Sequence, residues 1–194
     1  MPQISEAEYR SLPLRVHAFL ADVPLHDVWA VDLPRSRQGV TLATFLERSN
    51  QSTSGSIKRL SLPARVLFDL RLLLGRIFGL EAEPKDARAA SFANRLTAED
   101  RARSSVTAGT GDGLFRVLYR FENEQVLELQ NRTVHAAVAS ALTEGADGYR
   151  FYFAVYVRTS NRFTPLYMAL IDPFRRWIIY PALLKNIHAT WASP

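Results

Sequence analysis

The sequence predicts an α+β domain in which an antiparallel sheet packs against a C-terminal helix. From Leu114 to Ile171, apolar and polar residues alternate with the period of two that is typical of strands. The segment Leu62–Phe78 instead repeats its apolar residues at helical spacing. A second amphipathic stretch begins at Asp172-Pro173 and contains Pro181, which should bend the helix near Trp177 because proline lacks an N–H donor.

Length and composition indicate a single domain spanning residues 1–194. The 194 residues are 47% hydrophobic and include 11 Phe, 7 Tyr and 3 Trp, which is enough to bury a core without a metal or a cross-link. Cysteine is absent, which excludes disulfides, thiol nucleophiles and cysteine-ligated metals. We therefore expect no cofactor that depends on cysteine ligands, and the sequence predicts none of another kind.

The first residues and the short apolar runs predict a cytoplasmic protein, and its charged residues make the C-terminal third basic. The first ten residues lack the basic start and apolar run of a signal peptide. The longest apolar run, Trp177–Leu184, is far shorter than the ~20 residues that span a bilayer. The net charge is +5, and no recognised motif accompanies it, so nucleic acid is not expected as a partner. An anionic membrane surface remains a possible partner.

Four elements are predicted in the first half of the chain. His26–Leu33 alternates as a strand closed by Pro34. Thr41 can cap a short helix through Leu42, Phe45 and Leu46. The stretch Ser49–Ser56 has no apolar residue and is predicted to be an exposed loop. The helix Leu62–Phe78 follows.

The second half is predicted to be an antiparallel meander. Thr97 and Asp100 can start a short helix in an otherwise poorly periodic stretch. Alternation then places Phe115, Val117, Tyr119 and Phe121 on one face of a strand. In the longest strand the residues of one face are Tyr149, Phe151, Phe153, Val155 and Val157, and those of the other are Arg150, Tyr152, Tyr156 and Arg158. Asn161–Pro165 is predicted as a turn and Leu166–Ile171 as a strand.

The order of these elements is that of a helix-grip fold, and three segments resemble a known family. They are Leu62–Leu80 (LPARVLFDLRLLLGRIFGL), Val155–Tyr167 (VYVRTSNRFTPLY) and Asp172–Leu184 (DPFRRWIIYPALL). Together they resemble an uncharacterised bacterial family of unknown function, found alone or fused behind short-chain-dehydrogenase-like domains. That family is grouped with START-like (SRPBCC) helix-grip proteins. The resemblance implies a curved sheet wrapped around the last helix, with room for a hydrophobic ligand between them.

The favoured function is non-catalytic binding of a small hydrophobic or amphipathic molecule between the sheet and the C-terminal helix. Cavities for such ligands are lined by aromatic side chains with few polar anchors. The predicted lining residues are Phe115, Tyr119, Phe151, Phe153, Tyr167 and Trp177. Arg158 and Asn161, beside a turn, are predicted to hold the polar end of the ligand. A core filled by these same aromatic side chains is the competing interpretation.

Two other classes of function stay open. An enzyme of cyclase or isomerase type would need an inward-facing acid or base, for which Glu128 and His135 are the candidates. The neighbouring Glu122–Gln125 (ENEQ) is predicted to be a solvated turn, and no histidine pair has metal-ligand spacing. A membrane-surface or partner-binding module would use the last helix, through Arg175, Arg176, Trp177, Ile178, Ile179 and Lys185.

Overall fold

The fold is an antiparallel sheet with helices on both of its faces. The structure is a computed structural model that describes residues 3–34, 39–53, 87–112, 115–131, 134–145 and 147–159, and positions 168, 169, 172, 175, 176, 180, 181, 183, 187 and 191. The elements in chain order are α1 (Glu6–Arg10), α2 (Arg15–Phe19), β1 (Leu25–Pro34), α3 (Leu42–Thr53), α4 (Ala87–Ala90), a 3₁₀ helix (Phe92–Arg95), α5 (Ala98–Arg103), β2 (Gly111–Asp112), β3 (Phe115–Arg120), β4 (Glu124–Gln130), β5 (Val134–Gly145) and β6 (Gly148–Thr159).

The six strands form one sheet in which every pairing is antiparallel. Among the described strands the order is β1-β6-β5-β4-β3-β2, so β1 lies beside β6, and β5, β4, β3 and β2 follow as a meander. The strands β5 and β6 pair along their whole length, from Val134 with Thr159 to Gly145 with Gly148. Gly148 has a φ of 151°, which glycine adopts without the strain that a side chain would bring to this tight turn.

One side of the sheet, face A, is covered by the N-terminal helices and by residues 92–96. Its strand residues include Val28, Val126, Ala139 and Ala154, all at most 3% exposed. The covering side chains are Tyr9 of α1, Val16 and Phe19 of α2, Leu20, Val23, Phe92 and Leu96. Because small alanines alternate along β5, the covering helices can approach this face closely.

The opposite side, face B, carries two separate groups of buried apolar residues. The α3 cluster joins Leu42 and Phe45 of α3 to strand residues such as Val31 and Phe151, together with Ile187, Trp191, Leu33, Leu142 and Tyr149. The Met168 cluster consists of Met168, Val134, Ala136, Val155 and Val157. Positions 180, 187 and 191 are helical and buried, so the C-terminal part of the chain covers this face in part.

A bulge in β3 places Tyr119 and Phe121 on a different face of the sheet from the one predicted. Val117 pairs with Leu127, but Tyr119 pairs with the adjacent Val126, so the register shifts by one residue. A one-residue slip moves every later side chain to the other side of the sheet. Tyr119 and Phe121 therefore belong to the core of face A, and the prediction that they share a face with Phe115 and Val117 was wrong.

Local signals predicted several elements correctly. The strand predicted at His26–Leu33 is confirmed as β1. The Thr41 cap is confirmed as well, since Thr41 Oγ1 accepts the N–H of Thr44 at 3.2 Å. Thr97 and Asp100 form a capping box at the start of α5, in which each side chain accepts the other residue's N–H. Short-range capping chemistry can therefore be read directly from this sequence.

Two predicted segments differ from the structure, and a third lies outside the described residues. The loop predicted from Ser49 was wrong as far as Thr53, because α3 continues to that residue; extending a nucleated helix costs little. The strand predicted at Leu166–Ile171 was wrong at Met168 and Ala169, which are helical, in keeping with the high helix propensity of both residue types. The helix predicted at Leu62–Phe78 lies outside the described residues.

The described positions on either side of the predicted bend near Trp177 are helical. Tyr180 and Pro181 are helical, and Arg175 and Arg176 lie in a π-helical turn, which is an irregular form of helix. Trp177, whose carbonyl should lose its partner, lies outside the described residues, so the bend stays a prediction. Within the described part of the chain, no helix is both long enough and apolar enough to cross a membrane.

Candidate functional site

A row of side chains crosses face B at its centre, with one residue from each of five adjacent strands. Trp29 on β1 is the register partner of Phe153 on β6, and Phe153 pairs in turn with Ser140 on β5. Ser140 pairs with Gln125 on β4, which pairs with Arg120 on β3. Directly paired residues of antiparallel strands point to the same side of the sheet. We call these five residues the central row.

The central row separates the two apolar clusters of face B. On one side, Val31, Phe151 and Leu142 lie in register and belong to the α3 cluster. On the other side, the neighbouring row runs through Val155 of the Met168 cluster. Phe153 is only partly buried, and it packs against both clusters. The apolar surface of face B is therefore interrupted by a band that contains polar groups.

Two uncharged polar side chains of this band are buried. Gln125 is 3% exposed and Ser140 is 7% exposed. Arg120 Nε donates a hydrogen bond to Gln125 Oε1, and Arg120 also pairs with Asp112 at 3.4 Å. Because Gln125 Oε1 accepts the hydrogen bond from Arg120, the other amide atom of Gln125 is the nitrogen Nε2, which is a donor. Polar groups at the centre of an apolar face cost free energy unless they are hydrogen-bonded, so the row is a candidate recognition site.

Trp29, at the β1 end of the central row, has a buried donor that is not used. Its Nε1 atom is buried and has no hydrogen-bond partner among the described residues. The Trp29 ring lies 5.0 Å from the ring of Tyr180. By contrast, Nε1 of Trp191 donates to the carbonyl oxygen of Pro34 at 2.7 Å. Buried indole N–H groups usually find an acceptor, so the one on Trp29 stands out.

At Phe153 of the central row, and on the side of that row towards the Met168 cluster, apolar side chains remain partly exposed on face B. We call Leu127, Leu129, Val138 and Phe153 the apolar stripe. Leu127 and Val138 are register partners, and Leu129 follows on the same face of β4. On face A the same strands bury Val126, Ala137, Ala139 and Ala154 almost completely, at 0% or 1% exposure. The two faces of these strands therefore differ sharply in how completely they are covered.

A buried ion-pair network lies beside Trp29. The Asp27 side chain is 0% exposed and accepts a hydrogen bond from Arg175 Nη2 at 3.0 Å and another from the Tyr180 hydroxyl at 3.1 Å. Arg175 also pairs with Asp172 at 3.1 Å, and His26 Nε2 lies 3.0 Å from that same carboxylate. Burial raises the pKa of Tyr180, which keeps its hydroxyl protonated as a donor. The network thus fixes the C-terminal part of the chain to β1.

Glu128 and His135, the candidate acid and base of the alternative enzyme hypothesis, form a buried pair on face A. His135 Nε2 donates to Glu128 Oε1 at 2.8 Å, and both side chains are about 5% exposed or less. Glu128 also accepts the Ser91 hydroxyl at 2.6 Å and the Phe92 N–H at 2.7 Å. The Phe92 ring stacks on His135 with 3.9 Å between centroids. The pair therefore holds the 3₁₀ helix on the sheet.

The pKa of Glu128 follows from these contacts. Burial by itself raises it, but the hydrogen bonds from His135, Ser91 and the Phe92 N–H outweigh burial and hold it below its usual value. The carboxylate is ionised, and all three hydrogen bonds go to groups that position the 3₁₀ helix. A buried carboxyl without partners, which would favour an enzyme at this position, is not what the described residues form.

Glu124 was missed by the sequence prediction, because ENEQ was interpreted as a solvated turn. Glu124 is 3% exposed, so that interpretation was wrong at this residue. Its carboxylate accepts the N–H groups of Arg15 at 2.8 Å and Val16 at 2.7 Å, and the Tyr119 hydroxyl at 2.6 Å. Burial raises the pKa of Glu124 despite these hydrogen bonds. The residue caps α2, whose own N-cap residue, Leu14, has no side-chain acceptor.

The structure divides the predicted ligand-binding residues between the two faces. Phe151 and Phe153 lie on face B, and Phe115 shares that face by alternation from Arg116, which pairs with Glu128. Tyr119 lies in the core of face A, where it is 0% exposed. Three further members of the predicted set, Asn161, Tyr167 and Trp177, lie outside the described residues.

Arg158 also lies on face A rather than beside Phe153. Its guanidinium pairs with Asp22 at 3.0 Å and lies 5.6 Å from the centroid of the Phe92 ring. Asp22 is shared with Arg95, which donates two hydrogen bonds to it. These Arg95 hydrogen bonds hold the pKa of Asp22 at about 2. Arg158 thus lies on the face of β6 opposite Phe153, as strand alternation predicted, and away from the apolar side chains of face B; its role as a ligand anchor stays a prediction.

Of the six residues predicted to contact a membrane or a protein partner, the structure describes Arg175 and Arg176. Arg175 is 12% exposed and is paired with Asp27 and Asp172, so its charge is used inside the protein. Arg176 is exposed. The other members of that set, Trp177, Ile178, Ile179 and Lys185, lie outside the described residues.

A groove of about 550 Å³ opens at the β5–β6 turn, away from the central row. Its lining includes Asp32, Thr143, Asp147, Arg150 and Tyr152. The guanidinium of Arg150 pairs with Asp32 at 3.2 Å and with Glu8 of α1 at 3.0 Å. The guanidinium of Arg150 is thus already matched by carboxylates of the protein itself. None of the described lining residues belongs to the apolar stripe.

The sequence contained a weak signal for the central row. Along β5, one face reads Val134, Ala136, Val138, Ser140 and Leu142, so a single hydroxyl interrupts an apolar series. On the corresponding face of β4, Gln125 precedes the apolar Leu127 and Leu129. The alignment of Ser140 and Gln125 with Trp29 depends on the register of five strands, which the sequence does not show. Among the described residues, no three His, Cys, Asp or Glu side chains are grouped so as to hold a metal ion.

Comparison with known proteins gives a family but no relative of known function. A family model described as "Protein of unknown function (DUF2867)" matches residues 19–182. The match includes β1, the meander and most of the described C-terminal positions. No curated protein and no solved structure matches the chain.

Proposed function

The chain belongs to the DUF2867 family of proteins of unknown function, and we propose that it binds a small amphipathic molecule on face B. In this proposal the apolar part of the molecule lies on the apolar stripe. Its polar part meets the central row, beside the C-terminal helical positions. The ligand is held by contacts alone, without a chemical step.

The observation that carries the proposal is the difference between the two faces of β4, β5 and β6. Face A is almost completely buried at Val126, Ala137 and Ala154, whereas Leu127, Val138 and Phe153 stay accessible on face B. Apolar side chains at the centre of a sheet gain free energy when they leave water. An apolar ligand that covers the stripe would provide that gain, and contiguous accessible apolar surface commonly marks a binding site.

Polar groups at the centre of the same face support an amphipathic ligand rather than a purely apolar one. Ser140 and Gln125 are buried beside the stripe, and Trp29 brings an indole N–H to the same row. Binding sites for small molecules combine an apolar lining with a few placed polar groups. On face B the apolar stripe provides the apolar lining, and the central row provides the polar groups.

We also propose that the fold is of the helix-grip, START-like (SRPBCC) type. The first strand lies beside the last one, and the meander follows in the order β6, β5, β4, β3, β2. Helical positions Tyr180, Ile187 and Trp191 are buried on face B. A sheet that holds a C-terminal helix against one face is what that fold class requires.

Filling the site tests the proposal, with a matched control on the same strand. Phe153→Trp should abolish uptake of a fluorescent fatty-acid analogue at little cost in stability, because accessible space takes up the added ring. Phe151→Trp makes the same change two residues away, where Phe151 is 3% exposed and packs 5.3 Å from Phe45. There the added bulk should cost about 1–3 kcal/mol, while the folded protein keeps its uptake.

Binding titrations and thermal melts of the two variants decide the outcome. Undiminished uptake by Phe153→Trp would reject the proposed position of the ligand. No uptake by the wild-type protein across lipids, sterols and quinones would reject ligand binding itself and leave the packed-core interpretation.

A further inference from the structure

The position of the Trp29 indole N–H limits which ligand group can bind to it. Trp29 lies on β1 directly opposite Phe153, so its ring is on face B next to the apolar stripe. Its Nε1 atom is buried without a partner among the described residues. An indole N–H only donates hydrogen bonds. The matching ligand group must therefore be an acceptor, such as an oxygen atom.

The charges around Trp29 disfavour an anionic acceptor. Asp27 lies two residues before Trp29 on the same face of β1, and its side chain is fully buried. The nearby Arg175 is already shared between Asp27 at 3.0 Å and Asp172 at 3.1 Å. A ligand carboxylate at Trp29 would thus come close to a buried negative charge, with the neighbouring cation already matched by two carboxylates.

We propose that Trp29 recognises a neutral oxygen acceptor, such as a ketone or ester carbonyl, on an amphipathic ligand whose apolar part lies on the apolar stripe. This inference rests on the proposed function and names the ligand class for that same site. The stripe begins on the strand next to Trp29 and extends to β4, three strands away. With strands about 4.8 Å apart, the apolar part reaches about 14 Å from Trp29.

Nuclear magnetic resonance of the indole groups tests the inference on the unmodified protein. The chain has 3 tryptophans, so the indole N–H signals are few and can be assigned with Trp29→Phe and Trp191→Phe. Methyl nonyl ketone should move the Trp29 indole proton downfield, because a new hydrogen bond forms. Undecane, the alkane of the same length, should bind without that shift. The Trp191 indole, already bonded to Pro34, should not respond to either probe in this way.

Affinities of the variants give the second readout. Trp29→Phe keeps an aromatic ring but removes the donor, so ketone affinity should fall about fivefold while undecane affinity changes less than twofold. Trp191→Phe is the matched control and should leave the ratio of the two affinities unchanged. Undecanoate, the carboxylate of the same length, should bind the wild-type protein more weakly than the ketone.

The outcomes separate this inference from the proposed function. If ketone and undecane both bind but the Trp29 signal does not move, the inference is overturned and the binding site on face B stands. Tighter binding of undecanoate than of the ketone also overturns it. If none of the three probes binds, the inference falls together with the proposed function.

Discussion

Glu124 and Glu128 lie four residues apart on β4, and each caps a different helix on face A. Glu124 accepts the N–H groups of Arg15 and Val16 at the start of α2. Glu128 accepts the N–H of Phe92 at the start of the 3₁₀ helix. Residues i and i+4 of a strand point to the same face. One strand thus fixes two covering segments on face A by capping their first turns, and those segments bury the apolar residues of face A such as Val126 and Ala137.

Burial raises the pKa of both carboxylates, but the net shifts have opposite directions. Glu128 has three hydrogen-bond donors that lower its pKa, including His135, whereas burial dominates at Glu124 and raises its pKa. A carboxylate whose pKa is lowered in the folded state stabilises the protein at pH values above its ordinary pKa, and this stability is lost in acid. A carboxyl group whose pKa is raised stabilises the protein in acid, and this stability is lost as the pH rises. Replacing each of these glutamates by glutamine should therefore change the stability of the protein with opposite dependences on pH.

Glu128→Gln should destabilise the protein by about 2–3 kcal/mol at neutral pH, because three hydrogen bonds lose a charged acceptor. The stability from the Glu128 carboxylate is present above its ordinary pKa of 4.5 and is lost as the pH falls through its lowered folded value. The difference between wild type and variant should therefore shrink in acid. Urea unfolding at several pH values measures it. A difference that grows towards acid would contradict the assigned hydrogen bonds.

Glu124→Gln should show the opposite trend. The pKa of Glu124 is raised in the folded state, so its contribution is complete below 4.5 and is lost as the pH rises through the folded value. The variant should therefore gain stability relative to wild type between about pH 4 and about pH 7. Glu122→Gln, at an exposed neighbour, is the control and should follow wild type. Parallel pH curves for the Glu124 and Glu128 variants would refute the difference between the two sites.

Asp27→Asn should destabilise the protein by about 3–5 kcal/mol, because it leaves the guanidinium of Arg175 with one carboxylate fewer in a buried place. The matched control is Glu6→Gln, which breaks the exposed ion pair with Arg10 and should cost about 0.3–0.5 kcal/mol. Chemical unfolding of both variants measures the two losses. Equal, small losses would show that the buried pair does not hold the C-terminal positions on β1.

Arg158→Ala should leave ligand binding on face B unchanged. Arg158 pairs with Asp22 on the opposite face and is 41% exposed, so its loss should cost about 0.2–1 kcal/mol of stability. Titration with undecanoate should give the same affinity for variant and wild type within twofold. If the variant bound undecanoate more weakly than wild type does, Arg158 would hold the polar end of the ligand, as the sequence alone suggested.

The sequence predicted those features that depend on neighbouring residues. The two faces of β6 were predicted from strict alternation, and both are confirmed by the separate clusters of Tyr152 and Phe151. The caps at Thr41 and Thr97 were predicted from positions three residues apart. In each case, the residues that decide the structure lie within one turn or one strand.

The rest of the site depends on contacts between distant parts of the chain. Glu124 is buried because it caps α2, 109 residues away in the sequence. The bulge after Val117 reverses the face of Tyr119 without any local turn residue to announce it. The central row exists only through the registers of four strand pairs. Pairing registers are set by the whole fold, and hydrophobic alternation along one strand does not specify them.

Methyl resonances of the two faces give the most direct test of ligand binding on face B. Methyl nonyl ketone is titrated into the protein, and the methyl signals of leucine and valine are followed. Binding on face B should shift the signals of Leu127, Leu129 and Val138 on the apolar stripe, with no shift at Val28 and Val126 in the closed core of face A. Shifts confined to face A, or no shift on the stripe at saturating ketone, would contradict the proposed site.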